Sequence, residues 1–173
     1  MTHPIRSLRI ESYWDGKSLP AEEWISIHLL LSDLGLEVRL DAPFYGDPKA
    51  PSCPIGPTDK LWEHEVVEIF ILGDDGQYTE IEMAPSGHHL VLQLDGVRNA
   101  IATLQPLEFD AVIQGKRWTG VARIGVDLIP QGPLRVNATA IHGSGANRTY
   151  LSWIPLCGDE PDFHQPDRFK LLF

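Results

Sequence analysis

Residues 61–70, LWEHEVVEIF, set Glu63, Glu65 and Glu68 beside Trp62 in a run otherwise rich in apolar side chains. On a strand over Val66 to Leu72, Glu68 shares a face with Val66 and Phe70 while Val67, Ile69 and Ile71 point the other way. A carboxylate buried there without a partner costs several kcal/mol, so Glu68 requires an Arg or Lys, hydrogen-bond donors, or an open cleft. Arg98 and Arg148 are the candidate ion-pair partners. Across a following hairpin, Tyr78, Glu80 and Glu82 share one face, so acidic groups and aromatics collect on a single sheet surface. Two chemistries suit such a surface. Carboxyl groups drawn from Glu65, Glu68, Glu80 and Glu82 could act as acid and nucleophile or base on a glycosidic bond, which needs a separation of about 5 Å for retention or about 6.5–9.5 Å for inversion. Alternatively, a carboxylate beside an indole binds a sugar without reaction: the C–H face of a pyranose stacks on the ring while its hydroxyls take paired polar partners. Trp62 therefore either caps the core at the start of a strand or stacks on a ligand. With no GxSxG motif in the chain, binding is preferred to hydrolysis and no catalytic residue is assigned.

The chain has seven histidines, but no HxH or HExxH spacing turns them into a metal site. His88 and His89, adjacent on a strand, point to opposite faces and cannot easily share one ion. His64, His142 and His164 read as hydrogen-bonded loop residues that fasten irregular segments, with Asp162 placed to fix the ring of His164. Asp74-Asp75 reads as turn chemistry, since a calcium loop needs more oxygen ligands than a tight turn offers.

The elements that must position these groups are strands. Period-2 alternation dominates, as expected for strands with one wet side: Leu36, Val38, Leu40 against Glu37, Arg39, Asp41; Leu90, Leu92, Leu94 against His89, Val91, Gln93; and Leu134, Val136, Ala138, Ala140 against Arg135, Asn137, Thr139, Ile141. Trp118, Ala122, Ile124 and Val126 repeat it, with Gly120 predicting a bulge or a close approach. Trp24 to Leu31 and Val66 to Leu72 are more apolar and so more central, and Trp24 and Trp118 read as core packing. Gly73-Asp74-Asp75-Gly76 predicts a hairpin into Tyr78 to Met83. Turn signals divide the chain into about ten strands of one all-β antiparallel sandwich, residues 1–173. Two irregular pieces interrupt it. Residues 43–59 carry Pro43, Pro48, Pro51, Pro54 and Pro57, and residues 155–167 precede a final strand over Arg168 to Phe173.

Taken in order, LWEHEVVEIF, QYTEIEMAPSGHHLVLQLDG, NATAIHGSG and YLSWIP with PDFH resemble the DOMON-like domains related to carbohydrate-binding modules of family nine, and most of all an uncharacterised branch of that group. The resemblance spans about Ala42 to Phe173. It implies a sandwich of two antiparallel sheets and the binding of a carbohydrate or related polyhydroxylated ligand. In family-nine modules two tryptophans clamp a terminal sugar, and an acidic residue six positions after the first bonds its hydroxyls; Trp62 and Glu68 have that spacing. The second platform implied is Trp153, with Tyr150 as competitor, and Arg98, Asn99, Asn137 and Arg148 are the implied hydroxyl partners. The resemblance also admits structural calcium, with no ligands assigned, and a haem held by Met83 with His142 or His89, although Met83 reads as core; no cofactor is predicted.

A formal charge of −10 argues against nucleic acid as a partner, and no apolar run approaches the length that crosses a membrane. The N-terminal stretch lacks the pattern of a secretory signal, and Cys53 and Cys157 form no CxxC pair, so a cytoplasmic setting is expected, with a protein partner left open.

Overall fold

The computed structural model describes residues 5–173. Residues 1–4, where the stretch read for a secretory signal begins, lie outside it. Twelve strands follow in order: β1 Ile5–Ile10, β2 Ile25–Ser32, β3 Gly35–Pro43, β4 Val66–Leu72, β5 Gln77–Met83, β6 His89–Asp95, β7 Ala100–Ala102, β8 Glu108–Gln114, β9 Arg117–Gly125, β10 Arg135–His142, β11 Thr149–Ser152 and β12 Lys170–Leu171. They form two antiparallel sheets, β1-β2-β3-β9-β8 and β11-β10-β4-β5-β6-β7, with β12 paired to β10. The fold is the all-β sandwich that the alternation implies, with twelve strands rather than about ten.

Alternation becomes packing between the sheets. Ile27, Leu29, Val38, Leu40, Trp118 and Ala122 face Val67, Ile69, Ile81, Met83, Val91 and Ala138 in one continuous core. Fully burying such a side chain contributes about 1.5–3 kcal/mol, so this layer carries most of the stability. Trp118 is in that core, and Trp24 packs against it while its Nε1 donates to the Leu19 carbonyl at 3.3 Å. Gly120 sits in an unbroken register on both sides, so it marks no bulge. A Cβ there would stand 3.0 Å from the Phe109 ring and 3.1 Å from Trp118, so the glycine makes room for aromatic side chains.

Three readings are corrected. The strands expected to have one wet side in the larger sheet are covered on both: Val136 and Ala138 face the main core, yet Asn137, Thr139 and Ile141 are also buried. The reason is a second apolar layer. The two irregular pieces fold over the outer face of that sheet and bring Leu61, Leu156, Phe163 and Phe169 onto Val66, Phe70, Tyr78 and Leu94. Val126 leaves the alternation of β9, turning outward in a single 3-10 turn where it is half exposed. The final strand shrinks to β12, because residues 166–168 also form a 3-10 turn.

Candidate functional site

The hairpin of β4 and β5 builds the site. Its register sets Glu68 opposite Glu82 and Phe70 opposite Glu80, so the three glutamates meet on the outer face of the larger sheet. The second apolar layer does not close over that face completely. A cavity of about 560 Å³ remains, lined by Glu68, Phe70 and Glu80 from the hairpin, Leu92 and Leu94 from β6, Ile141 and Tyr150 from β10 and β11, and Trp62, Arg98, Phe163 and His164 from the connecting segments. This volume lies within the usual range for a small-molecule site, about 300–1,000 Å³.

Trp62 sits in the 3-10 turn before β4 with 38% of its surface exposed, so its indole is part of the wall and is not sealed in the core. Glu68 is 2% exposed. Neither expected arginine pairs with it: its Oε2 accepts from Thr139 Oγ1 at 2.6 Å, a cross-strand neighbour on β10. Arg98 instead donates to Asp162 at 2.6 Å on the cavity rim. Arg148 donates to the Trp62 carbonyl and to the Glu63 carbonyl at 3.0 Å, and its guanidinium stands 5.8 Å from the centre of the Tyr150 ring. Arg148 thus ties the Trp62 turn to β11 and holds the two aromatic walls in relation to each other.

Glu80 and Glu82 are buried still more completely than their apolar surroundings allow for charge. No described group donates to Glu80 Oε2 or to either oxygen of Glu82. One oxygen from each of Glu68, Glu80 and Glu82 lies within 4.8 Å of the others. Burial raises all three carboxyls, Glu68 to about 7 and the other two well above the ordinary carboxylate range, and mutual repulsion adds to the shift at Glu80 and Glu82. A proton held between Glu80 and Glu82 supplies the one hydrogen bond that this pair can make alone. The sequence pattern puts Glu80 and Glu82 on the right face and offers them only as carboxyls for the hydrolase alternative, not as ligand-binding residues. Period-2 spacing shows which face a side chain shares, and only the cross-strand register shows that it meets Glu68.

His164 supports this floor. Its Nδ1 lies 2.7 Å from the Tyr78 hydroxyl, which also accepts from the Arg98 backbone N–H at 3.1 Å. The set is satisfied when Tyr78 donates to Nδ1, which leaves the ring proton on Nε2, 3.8 Å from Glu80 Oε2. Burial lowers the His164 pKa to about 4, so the ring is neutral at pH 7. Asp162 was expected to orient this ring. It accepts instead from the His164 backbone N–H at 3.0 Å, and Tyr78 orients the ring.

The remaining assignments separate. Tyr150 lines the cavity and Trp153 does not: Trp153 packs against the inter-sheet core with Lys170 Nζ 5.6 Å from its ring centre, because it lies an odd number of residues from Tyr150 along β11 and its continuation. Asn137 is fully buried beneath β11, where its Oδ1 accepts from Ile154 N at 3.1 Å and its Nδ2 donates to Ser152 Oγ at 3.1 Å. Asn99 donates to the Asp95 carbonyl at 3.0 Å in the β6–β7 turn and lines no part of the cavity. Glu65 is drawn away by the proline-rich segment, accepting from Tyr45 N at 3.0 Å and Gly46 N at 2.8 Å. His64 and His88 fasten the same segment through contacts with the Lys49 carbonyl at 2.8 Å and the Cys53 carbonyl at 3.0 Å. Met83 lies in the inter-sheet core, as read. Among the described residues, Glu68, Glu80 and Glu82 are the one group of three whose oxygens lie close enough to share a metal ion, and three oxygens fall short of the roughly six to eight that calcium takes.

The antiparallel β-sandwich is shared with solved structures of low sequence identity. A "putative carbohydrate-binding protein" from Bacteroides uniformis shares the fold, with a TM-score of 0.72 at 16% identity over 97% of this chain and 84% of that one. A family 9 carbohydrate-binding module from Caldicellulosiruptor kristjanssonii, solved with cellotriose, superposes with a TM-score of 0.56 at 15% identity over 96% of this chain and 80% of that one. No family model matches the sequence, so the DOMON-like part of the resemblance gains no support from that comparison. The chain belongs to the UPF0462 family: it is 41% identical to the UPF0462 protein C4orf33 homolog of Danio rerio over 93% of its own length and 85% of that protein, and 38% identical to the Homo sapiens UPF0462 protein C4orf33 over 94% and 85%.

Proposed function

We propose that the protein is a non-catalytic binding protein for a small carbohydrate or related polyhydroxylated ligand, seated between Trp62 and Tyr150. The observation that carries this reading is a half-exposed indole on the wall of a cavity whose floor holds Glu68 and whose rim holds Arg98. The pyranose face would stack on Trp62, with Tyr150 opposite and the carboxyl and guanidinium groups taking hydroxyls. Tyr150 thus replaces Trp153 as the second platform. The sugar-binding modules that share the fold support the class of ligand. Glu82 lines no part of the cavity and Glu65 is held by the backbone of Tyr45 and Gly46, which leaves Glu68 and Glu80; burial raises both, whereas a retaining hydrolase needs one of its pair ionised as the nucleophile, which favours binding over cleavage.

A cytoplasmic setting belongs to the same proposal. Cys53 and Cys157 are free and exposed, as suits a reducing compartment, and no helix is long and apolar enough to cross a membrane.

One clamp and a few hydrogen bonds exchanged with water predict an affinity of about −4 to −8 kcal/mol, millimolar to micromolar. Calorimetry against a panel of mono- and disaccharides, with wild type beside Trp62→Ala, tests the reading. Binding by wild type with at least a tenfold loss in the variant is expected. Equal binding by both would remove Trp62 from the site. Sugar cleavage that Glu68→Gln abolishes would replace the binding reading with a hydrolase.

A further inference from the structure

The floor of the cavity accepts more strongly than a neutral sugar requires. Hydroxyls both donate and accept, so a site for them ordinarily mixes donors with acceptors. Here three carboxyl groups converge, and Thr139 is the one described side chain that donates to any of them. Glu82 is 0% exposed with both oxygens unpartnered, and Glu80 Oε2 is likewise unpartnered. The nearby cations are already engaged: Arg98 by Asp162, and Arg148 by backbone carbonyls. Asp59, on the cavity wall, adds another acidic group, and His164 faces Glu80 as a neutral ring. The walls are largely carbon, with Phe70, Leu92, Leu94, Tyr150 and Phe163 around the acids.

We infer that this floor is a seat for the protonated primary amine of an amino sugar, its N–H donors directed at Glu68 and Glu80, the two glutamates that line the cavity, with the buried Glu82 packed behind them. The inference rests on the cavity being the ligand site proposed above. Oxygens of Glu68 and Glu80 lie no more than 4.8 Å apart, a span that one nitrogen bridges at about 2.8 Å from each, the length of a charge-assisted N–H···O bond. An ammonium is satisfied by three acceptors, and aromatic faces such as Tyr150 favour a cation beside them. A divalent ion would want about six to eight oxygens, and the carbon walls do not supply the rest. An amine also brings the acids the positive charge they lack: as the ammonium enters, one carboxyl proton leaves to solvent and the carboxylate formed pairs with the ammonium.

Calorimetry and ligand-observed NMR with matched sets test it: glucose, glucosamine and N-acetylglucosamine, and the corresponding galactose and mannose series, at pH 6.5. In at least one series the free amine is expected to bind at least tenfold more tightly than both its hydroxyl parent and its N-acetyl counterpart. Glu80→Gln, which preserves shape on the cavity wall, should shrink that ratio severalfold. Parent and N-acetyl sugars binding as well as the amine would overturn the amine seat and leave the sugar reading standing. Calcium or manganese chloride binding alone, with no preference for the amine, would reassign the three acids to a metal ion. No binding by any member of any series would overturn both readings.

Discussion

In the ligand-free protein the three acids predict an unusual pH dependence of stability. Glu68, Glu80 and Glu82 keep their protons to higher pH when folded than when unfolded, because burial disfavours their charge. The folded chain then binds more protons, and the free energy of unfolding falls as pH rises. For Glu68 the stabilisation is whole below pH 4.5 and gone above about 7, a difference of about 3 kcal/mol. His142 and His164 act in the opposite sense. Burial holds both near 4 instead of 6.5, so their contribution is lost as pH falls from 6.5 towards 4 and offsets the glutamates in that window. Above about pH 7.5 the histidines are neutral in both states, and the glutamates act alone. Each carboxyl that is still protonated in the fold should then lower stability by about 1.4 kcal/mol per pH unit. Urea denaturation at steps between pH 7.5 and 8.5 should therefore show stability dropping by about 1–3 kcal/mol per unit. Glu82→Gln, which removes one of these protons from the balance, should flatten the slope and exceed wild type in stability at pH 8. Stability that is level or rises over this range in wild type, or a slope that Glu80→Gln and Glu82→Gln together leave unchanged, would refute the account of a protonated acidic floor.

Other expectations concern single residues. Trp118→Ala, at a site 1% exposed in the inter-sheet core, should cost about 3–5 kcal/mol by chemical denaturation, whereas Trp62→Ala, on the cavity wall, should cost far less and be felt in ligand binding. Thr139→Val removes the donor to Glu68 while keeping the shape of the side chain; a loss of about 1–3 kcal/mol at pH 8, shrinking at pH 5 where the acid is neutral, would be visible in the same assay. Asp162→Ala breaks an exposed ion pair and should change stability by no more than about 1 kcal/mol, while freeing Arg98 on the rim and altering affinity for an anionic competitor in calorimetry. Gly35→Ala would drive a Cβ to 1.9 Å from the Ile124 carbonyl oxygen at a positive φ of 132°, so a soluble, fully folded product with an unchanged melting temperature would contradict the β3–β9 packing.

Much of the fold was legible because each strand declares its own period. β4 begins and ends where its apolar run does, and the Asp-Gly turn announced its pairing with β5. The faces of Glu68, Glu80 and Glu82 were legible for the same local reason, whereas the spacing of Trp62 and Glu68 drew its meaning from the resemblance to family-nine modules. What alternation could not reveal was the covering of that face. Asn137 and Thr139 look like solvent-facing residues on a strand with one wet side, yet both are buried, because Phe163 and Phe169 arrive from segments with no periodicity to read. The choice between Tyr150 and Trp153 was likewise beyond a local rule: both are aromatic, and the phase of β11 against β10 sends one to the cavity and the other to the core. The amino-acid order by itself settled the all-β class and the glutamate-bearing hairpin, since hydrophobic period and turn chemistry act within a few residues. Tertiary structure alone decided that Glu68 would find Thr139 instead of an arginine, and that three acids would converge with Glu68 and Glu80 open to a cavity, because register and loop closure join residues far apart in the chain.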